Sequence, residues 1–176
     1  MGPAQGWLLD AFLLIVSGRA ETPTGAARVA AVSPVVLADD VTDITLPRGH
    51  LRWWSPAPSV YCTIVTGHFC TAGVGPILQG FVDVAARHPG HLVDTFHDWS
   101  GLTGYDSDAR IAYVEQARPQ MSRVGIIEAL VTSRIVAMGF EVARIALGTG
   151  LKGISDRATF EAHRQAAIDA ALRRTR

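Results

Sequence analysis

The residue types able to do chemistry concentrate in Leu92–Arg110, which reads L-V-D-T-F-H-D-W-S-G-L-T-G-Y-D-S-D-A-R. Asp94, His97 and Asp98 place two carboxylates and an imidazole within five residues, and His88 and His91 stand just before them. Such a set can move protons or hold a metal ion. The run Leu92–Phe96 reads as a strand, however, and a strand of that length separates its two ends by ~16 Å. One ion cannot join the histidines before it to His97 and Asp98 after it. Solvated or capping polar groups are the simpler reading, so neither a metal nor a cofactor is expected. An enzyme using Asp94, His97 and Asp98 stays as an alternative function, and a closed pocket joining them is its requirement. Further on, Asp106-Ser107-Asp108 stands where a helix would open, and those side chains satisfy the free N–H groups of a first turn.

Other motifs contribute less. Gly148-Thr149-Gly150-Leu151-Lys152-Gly153 spells G-x-G-x-x-G, but it follows a helical pattern and enters a strand, the reverse of a dinucleotide fingerprint. It reads as a helix C-cap turn. The sequence contains neither a G-x-S-x-G elbow nor a G-x-x-x-x-G-K-[ST] loop, so nothing announces a serine nucleophile or a phosphate cradle. Cys62 and Cys70 are the only cysteines; their spacing makes no C-x-x-C pair, and two buried free thiols are expected. Trp53 and Trp54 are adjacent, so on a strand they point to opposite faces. Glu141 and Arg144, at i and i+3, read as a surface pair.

The elements that must position these residues alternate. His50–Trp54 and Val60–Thr66 read as strands, separated by a Ser55-Pro56-Ala57-Pro58 turn, with Gly67 ending the second. Val74, Ile77, Leu78, Phe81, Val82 and Ala85 fall at helical spacing, with Pro76 in the first turn and His88-Pro89-Gly90 as the stop. Leu92–Phe96 is the third strand. Tyr105 opens a helix with a stripe of Ile111, Val114 and Ala117, closed by Pro119. Val124–Val131 is apolar apart from Glu128 and reads as an inner strand covered on both faces. Ser133 caps a helix reaching about Leu147, and Ile135–Leu147 is apolar nearly all round. Leu151–Ser155 is a short last strand. Asp156 caps a final helix whose inner face is Phe160, His163, Ala167, Ile168, Ala171 and Leu172.

This order, β-β-α-β-α-β-α-β-α from Leu51, predicts an α/β domain with a mixed sheet of about five strands covered by four helices. Residues 50–176 form that domain. Residues 28–49 read as an N-terminal extended segment, holding a β-branched run around Pro34 and then I-T-L with a P-R-G turn. Residues 1–27 read as a leader and linker. The apolar run Trp7–Val16 has roughly the length of a signal-peptide core, ~7–15 residues. Yet no basic residue precedes it and Asp10 interrupts it. A leader helix or an early start codon fits better, and the chain is expected in the cytoplasm.

Sixteen basic and sixteen acidic residues cancel. No basic field exists to attract nucleic acid or an anionic membrane surface. A 48% hydrophobic composition supports a proper core for a single domain.

The strand order and the central stretch together resemble the STAS family, which holds anti-sigma factor antagonists and sulfate-transporter tail domains, and its SpoIIAA-like relatives. The family carries D-x-S-G-(V/L)-T-x-x-D-S-S-G-L. Here Asp98-Trp99-Ser100-Gly101-Leu102-Thr103-Gly104-Tyr105-Asp106-Ser107-Asp108-Ala109 stands in register. The resemblance covers about Leu51 to Leu172. It implies a STAS-like fold and a non-enzymatic signalling module of bacterial type. It also implies a protein partner of the anti-sigma kinase kind, met by Ser100, Thr103, Asp106, Ser107 and Asp108. The family phosphorylates the second serine of D-S-S-G, and Asp108 occupies that place. Ser107 keeps the first serine as a candidate phosphoacceptor, and Asp108 would supply a fixed charge where the family adds a reversible one. The CRAL-TRIO side of the same resemblance implies the other alternative, an apolar-ligand or membrane-associating domain built on Ile135–Leu147 and Trp7–Val16.

Overall fold

The computed structural model describes residues 41–133 and 151–174. One six-stranded sheet organises them: β1 (Thr42–Leu46), β2 (Gly49–Ala57), β3 (Val60–Phe69), β4 (Val93–Tyr105), β5 (Val124–Leu130) and β6 (Leu151–Ile154). The strands lie side by side in chain order. The first three are joined antiparallel by tight turns, and the last three pair parallel. Parallel neighbours need a crossover. Helix α1 (Val74–Arg87) carries the chain from β3 to β4, and α2 (Ser107–Ala117) carries it from β4 to β5 through a 3-10 turn at Arg118–Arg123. Helix α3 (Arg157–Arg174) follows β6. Six strands and three helices thus stand among the described residues, where about five and four were expected. Thr42–Leu46 joins the sheet as its first edge. The expected helix from Ser133, with Glu141 and Arg144, lies outside the described residues, as do the leader and Gly148–Gly150.

The sheet has a core on each face. Strand alternation sends Val60, Cys62 and Phe96 toward α3, where they meet Trp54, Leu130, Ile154, Phe160 and Ala171. It sends Tyr61 and Val93 the other way, against Phe81, Val84 and Ala85 of α1. Leu46, Leu51, Val65 and Ile77 continue that second core toward α2, with Trp99 and Tyr113 packed on them. Trp53 and Trp54 do face opposite sides. Trp54 packs under Arg164 of α3, 5.9 Å from its guanidinium carbon. Trp53 lies over Gly80 of α1, where a Cβ would sit 2.7 Å from the indole, so the helix meets the sheet there only because that side chain is missing. Both cysteines are free and buried, and burial pushes the Cys62 thiol up to about 12.

Three strands run longer than the sequence pattern indicates. β2 continues through Pro56 to Ala57. Its pairing with β1 ends at Trp53 and its ladder to β3 is irregular between Trp54 and Ala57, and such an edge tolerates a missing N–H. β3 passes Gly67 as an irregularity and reaches Phe69. Most consequentially, β4 does not stop at Phe96 but continues to Tyr105, because the extended β3 gives it partners as far as Phe69↔Tyr105. The Gly-rich stretch between the strand expected to end at Phe96 and the helix expected to open at Tyr105 is itself strand. On α2 the buried residue is Ala109, and Tyr113 one turn later packs on the core. Ile111, expected inside, is 42% exposed because it falls on the opposite side of the turn. Leu172 of α3 is likewise exposed.

Candidate functional site

Along β4 and into α2, the residues singled out by sequence fall into two anchored clusters with exposed residues between and beyond them. Cross-strand pairing sets out the first. Asp43, Arg52, Ile64 and Asp98 are partners in one row across β1 to β4. At the end of that row Asp98 folds over its own chain. Its Oδ1 accepts hydrogen bonds from the Ser100 amide at 3.0 Å and the Ser100 hydroxyl at 2.6 Å. Arg157, the first residue of α3, donates to Asp98 Oδ2 at 2.9 Å and to Ser100 Oγ at 2.7 Å. Ser100 is therefore a fastener for α3. The Asp98 side chain is only 13% exposed, so removing its partner leaves a desolvated carboxylate. Arg157→Ala is expected to lower unfolding free energy by about 2 kcal/mol, read by urea denaturation. A change under about 0.5 kcal/mol would show the pair to be a surface bridge of no account.

Thr103 lies exposed further along β4. Three residues later the strand delivers Asp106 to the start of α2, with its amide on the Phe69 carbonyl at 3.0 Å. Asp106 holds the N-cap position and an extended backbone, yet its side chain makes no capping bond. Instead its Oδ1 accepts from His68 Nε2 at 2.8 Å and from Arg48 Nη2 at 2.7 Å. These hydrogen bonds, His68's first and Arg48's second, hold the Asp106 carboxyl below the usual carboxylate range. The cap expected of Asp106 is thus replaced by a clasp on the β1–β2 turn. Ser107 and Asp108 follow, both exposed, with Asp108 in the first helical turn where negative charge is favoured. Ser100 and Asp106 sit about 20 Å apart along an extended strand, so the five candidate residues form no compact pocket.

Asp94, His97 and Asp98 do not converge. Asp94 and Asp98 flank Phe96 on the α3 face, while His97 points into the opposite core. His97 is 4% exposed. Its Nδ1 lies 2.8 Å from Thr63 Oγ1, and its ring packs edge-on to Tyr61 and tilted against Trp99. Burial alone lowers it to about 4. Burial raises Asp94, opposed by a hydrogen bond from the Ile126 amide. His88 and His91 lie in the turn before β4, joined by a backbone bond at 3.2 Å. Asp156 does cap α3, accepting from the Thr159 amide at 2.7 Å and its hydroxyl at 2.6 Å.

Sequence reasoning missed Arg48, His68 and Arg157. Arg48 and His68 are 58 and 38 positions from Asp106, and no local pattern signals contacts of that span. A half-buried pair did leave a signal. Glu128 interrupts apolar β5 and His163 interrupts the inner face of α3. Those two exceptions meet, His163 Nδ1 lying 2.9 Å from Glu128 Oε2.

Among the described residues no helix is long and apolar enough to cross a membrane. No family model matches the sequence, and no curated protein matches it. Among solved structures, the chain is similar to an uncharacterised protein of the DUF3478 family with a SpoIIAA-like fold, from Shewanella loihica PV-4. The TM-score is 0.49 at 10% identity, over 69% of this chain and 90% of that one. The mixed sheet with helices on both faces is shown by this chain's own strand pairings and core clusters.

Proposed function

We propose that this chain is a non-enzymatic regulatory module of the cytoplasm that docks a protein partner through the end of β4 and the opening turn of α2. One observation carries the reading. Asp106 is clasped by Arg48 and His68, so the next two residues, Ser107 and Asp108, are held in the open on a rigid support. A polar tip presented by a fixed strand-to-helix junction loses little freedom on binding. Thr103, exposed on the same strand, extends the surface. Ser100 supports it from behind by holding α3. The divergence of Asp94, His97 and Asp98 favours binding over catalysis, because proton transfer needs groups within hydrogen-bond reach of one reacting atom. Asp108 supplies a permanent negative charge at the helix start, and the Ser107 hydroxyl beside it is open to modification. A partner of the anti-sigma kinase kind fits the sequence resemblance.

The test is a pull-down from extract of the source organism with wild-type and Ser107→Ala/Asp108→Ala baits. The double variant is expected to keep its circular dichroism spectrum and lose at least one protein that the wild type enriches. Identical capture by the two baits removes this site.

A further inference from the structure

We propose that the partner lies along the outer face of α2 and presents there an apolar side chain between two basic ones; this rests on the docking reading above and specifies its chemistry. Ser107, Asp108, Ile111, Glu115 and Arg118 are all exposed, the first four on α2 and Arg118 just past its end. On a helix of 3.6 residues per turn they fall within one stripe about 100° wide, with Ile111 near its middle. The sheet-facing side of the helix is already occupied by Ala109 and Tyr113. One exposed isoleucine is ordinary on any protein surface. Its setting is not. Asp108, three residues before, and Glu115, four after, lie along one edge of the stripe, their backbones about 10 Å apart. No cation pairs with either carboxylate among the described residues. Two unneutralised acids flanking an apolar contact complement a segment whose arginines or lysines flank an apolar residue, and they repel an acidic segment or an anionic lipid surface. Arg118 at the far end of the other edge would take an acidic residue and set the direction in which the segment lies.

Photo-crosslinking of the full-length protein tests this. The photoreactive residue p-benzoyl-phenylalanine replaces Ile111 in one variant and Ser107 in a second. In a third it replaces Leu92, exposed at the far end of β4. Each is irradiated in extract of the source organism, and the crosslinked peptides are sequenced. Positions 107 and 111 are expected to capture neighbouring residues of one partner, in a stretch with an apolar residue flanked by arginine or lysine. Adding Asp108→Lys and Glu115→Lys is expected to cut the yield at position 111 about tenfold. Capture at 107 but not at 111 would overturn the α2 stripe while leaving the docking tip standing. Capture at neither would remove both. A crosslink to a second copy of this chain, an acidic captured stretch, equal capture of the same protein at position 92, or a yield indifferent to the charge reversal would each overturn the proposal.

Discussion

Acidification from pH 7 to pH 4 is expected to cost this protein about 3 kcal/mol of stability through one side chain, His97. The imidazole is 4% exposed, and burial holds it neutral down to about pH 4. In the unfolded chain the same ring takes up its proton near the ordinary value of about 6.5. Below that pH the unfolded state binds a proton that the folded state refuses, so proton uptake favours unfolding. The loss begins near pH 6.5, accumulates down to about pH 4 and then levels, because below that point both states are protonated. Urea denaturation at pH 7, 5.5 and 4 measures it, with His97→Gln as the comparison. Glutamine retains a hydrogen-bonding group for Thr63 and does not titrate. Carboxylates held low by their partners, such as Asp43 and Asp106, are present in both proteins and cancel in the difference. The wild type should lose about 3 kcal/mol more than the variant across this range. Equal losses would mean that His97 is hydrated or already charged in the fold.

Substituting Gly67 with alanine is expected to destabilise the fold by about 3 kcal/mol and to loosen the candidate site as well. Gly67 has φ +74, a conformation that disfavours any side chain with a Cβ. An added Cβ would lie 2.6 Å from the Arg48 carbonyl oxygen and 2.8 Å from Gly49 Cα. Those are backbone atoms, which cannot swing aside as the end of a long side chain can. The Arg48 carbonyl also accepts the His68 amide at 2.8 Å, so displacing it disturbs both residues that clasp Asp106. Gly75→Ala is the matched control, since nothing lies within 4 Å of its Cβ position. A helical alanine there should be neutral or stabilising by about 0.5–1 kcal/mol. Thermal unfolding reads both variants. A Gly67→Ala protein within about 0.5 kcal/mol of wild type would show that β3 does not cross the β1–β2 turn so closely.

Much of the architecture is legible in local pattern because each element buries its own periodic stripe. α1 is the clearest case. Its apolar positions at i, i+3 and i+4 predict a helix from Gly73–Gly75 to His88, and the observed bounds are Val74 and Arg87. Asp156 announces α3, since capping chemistry is local and acts three residues on. The alternation of Trp53 and Trp54 follows from the pleat alone. The failures share a cause. Gly67, Pro56 and the glycines after Ser100 look like strand ends because those residues punctuate isolated strands. Neighbouring strands overrule them here. β3 reaches Phe69 and carries β4 to Tyr105 alongside it, through register irregularities that glycine permits. Ile111 faces water because α2 is short and weakly patterned and Ala109 and Tyr113 fill its sheet-facing side.

The candidate site divides along the same line. Amino-acid type and order by themselves determined that Asp106-Ser107-Asp108 would open a helix, because short polar residues suit the extended N-cap position and negative charge suits the first turn. They determined too that Glu128 and His163 would stand as polar exceptions on buried faces. Only the tertiary structure decided what those groups touch. It turned Asp106 from a cap into a clasp for Arg48 and His68, and it set Ser100 against Arg157. It also sent His97 away from the two aspartates beside it. Ion pairs reach across tens of residues and are set by which strands lie adjacent. No chain segment read alone contains that adjacency.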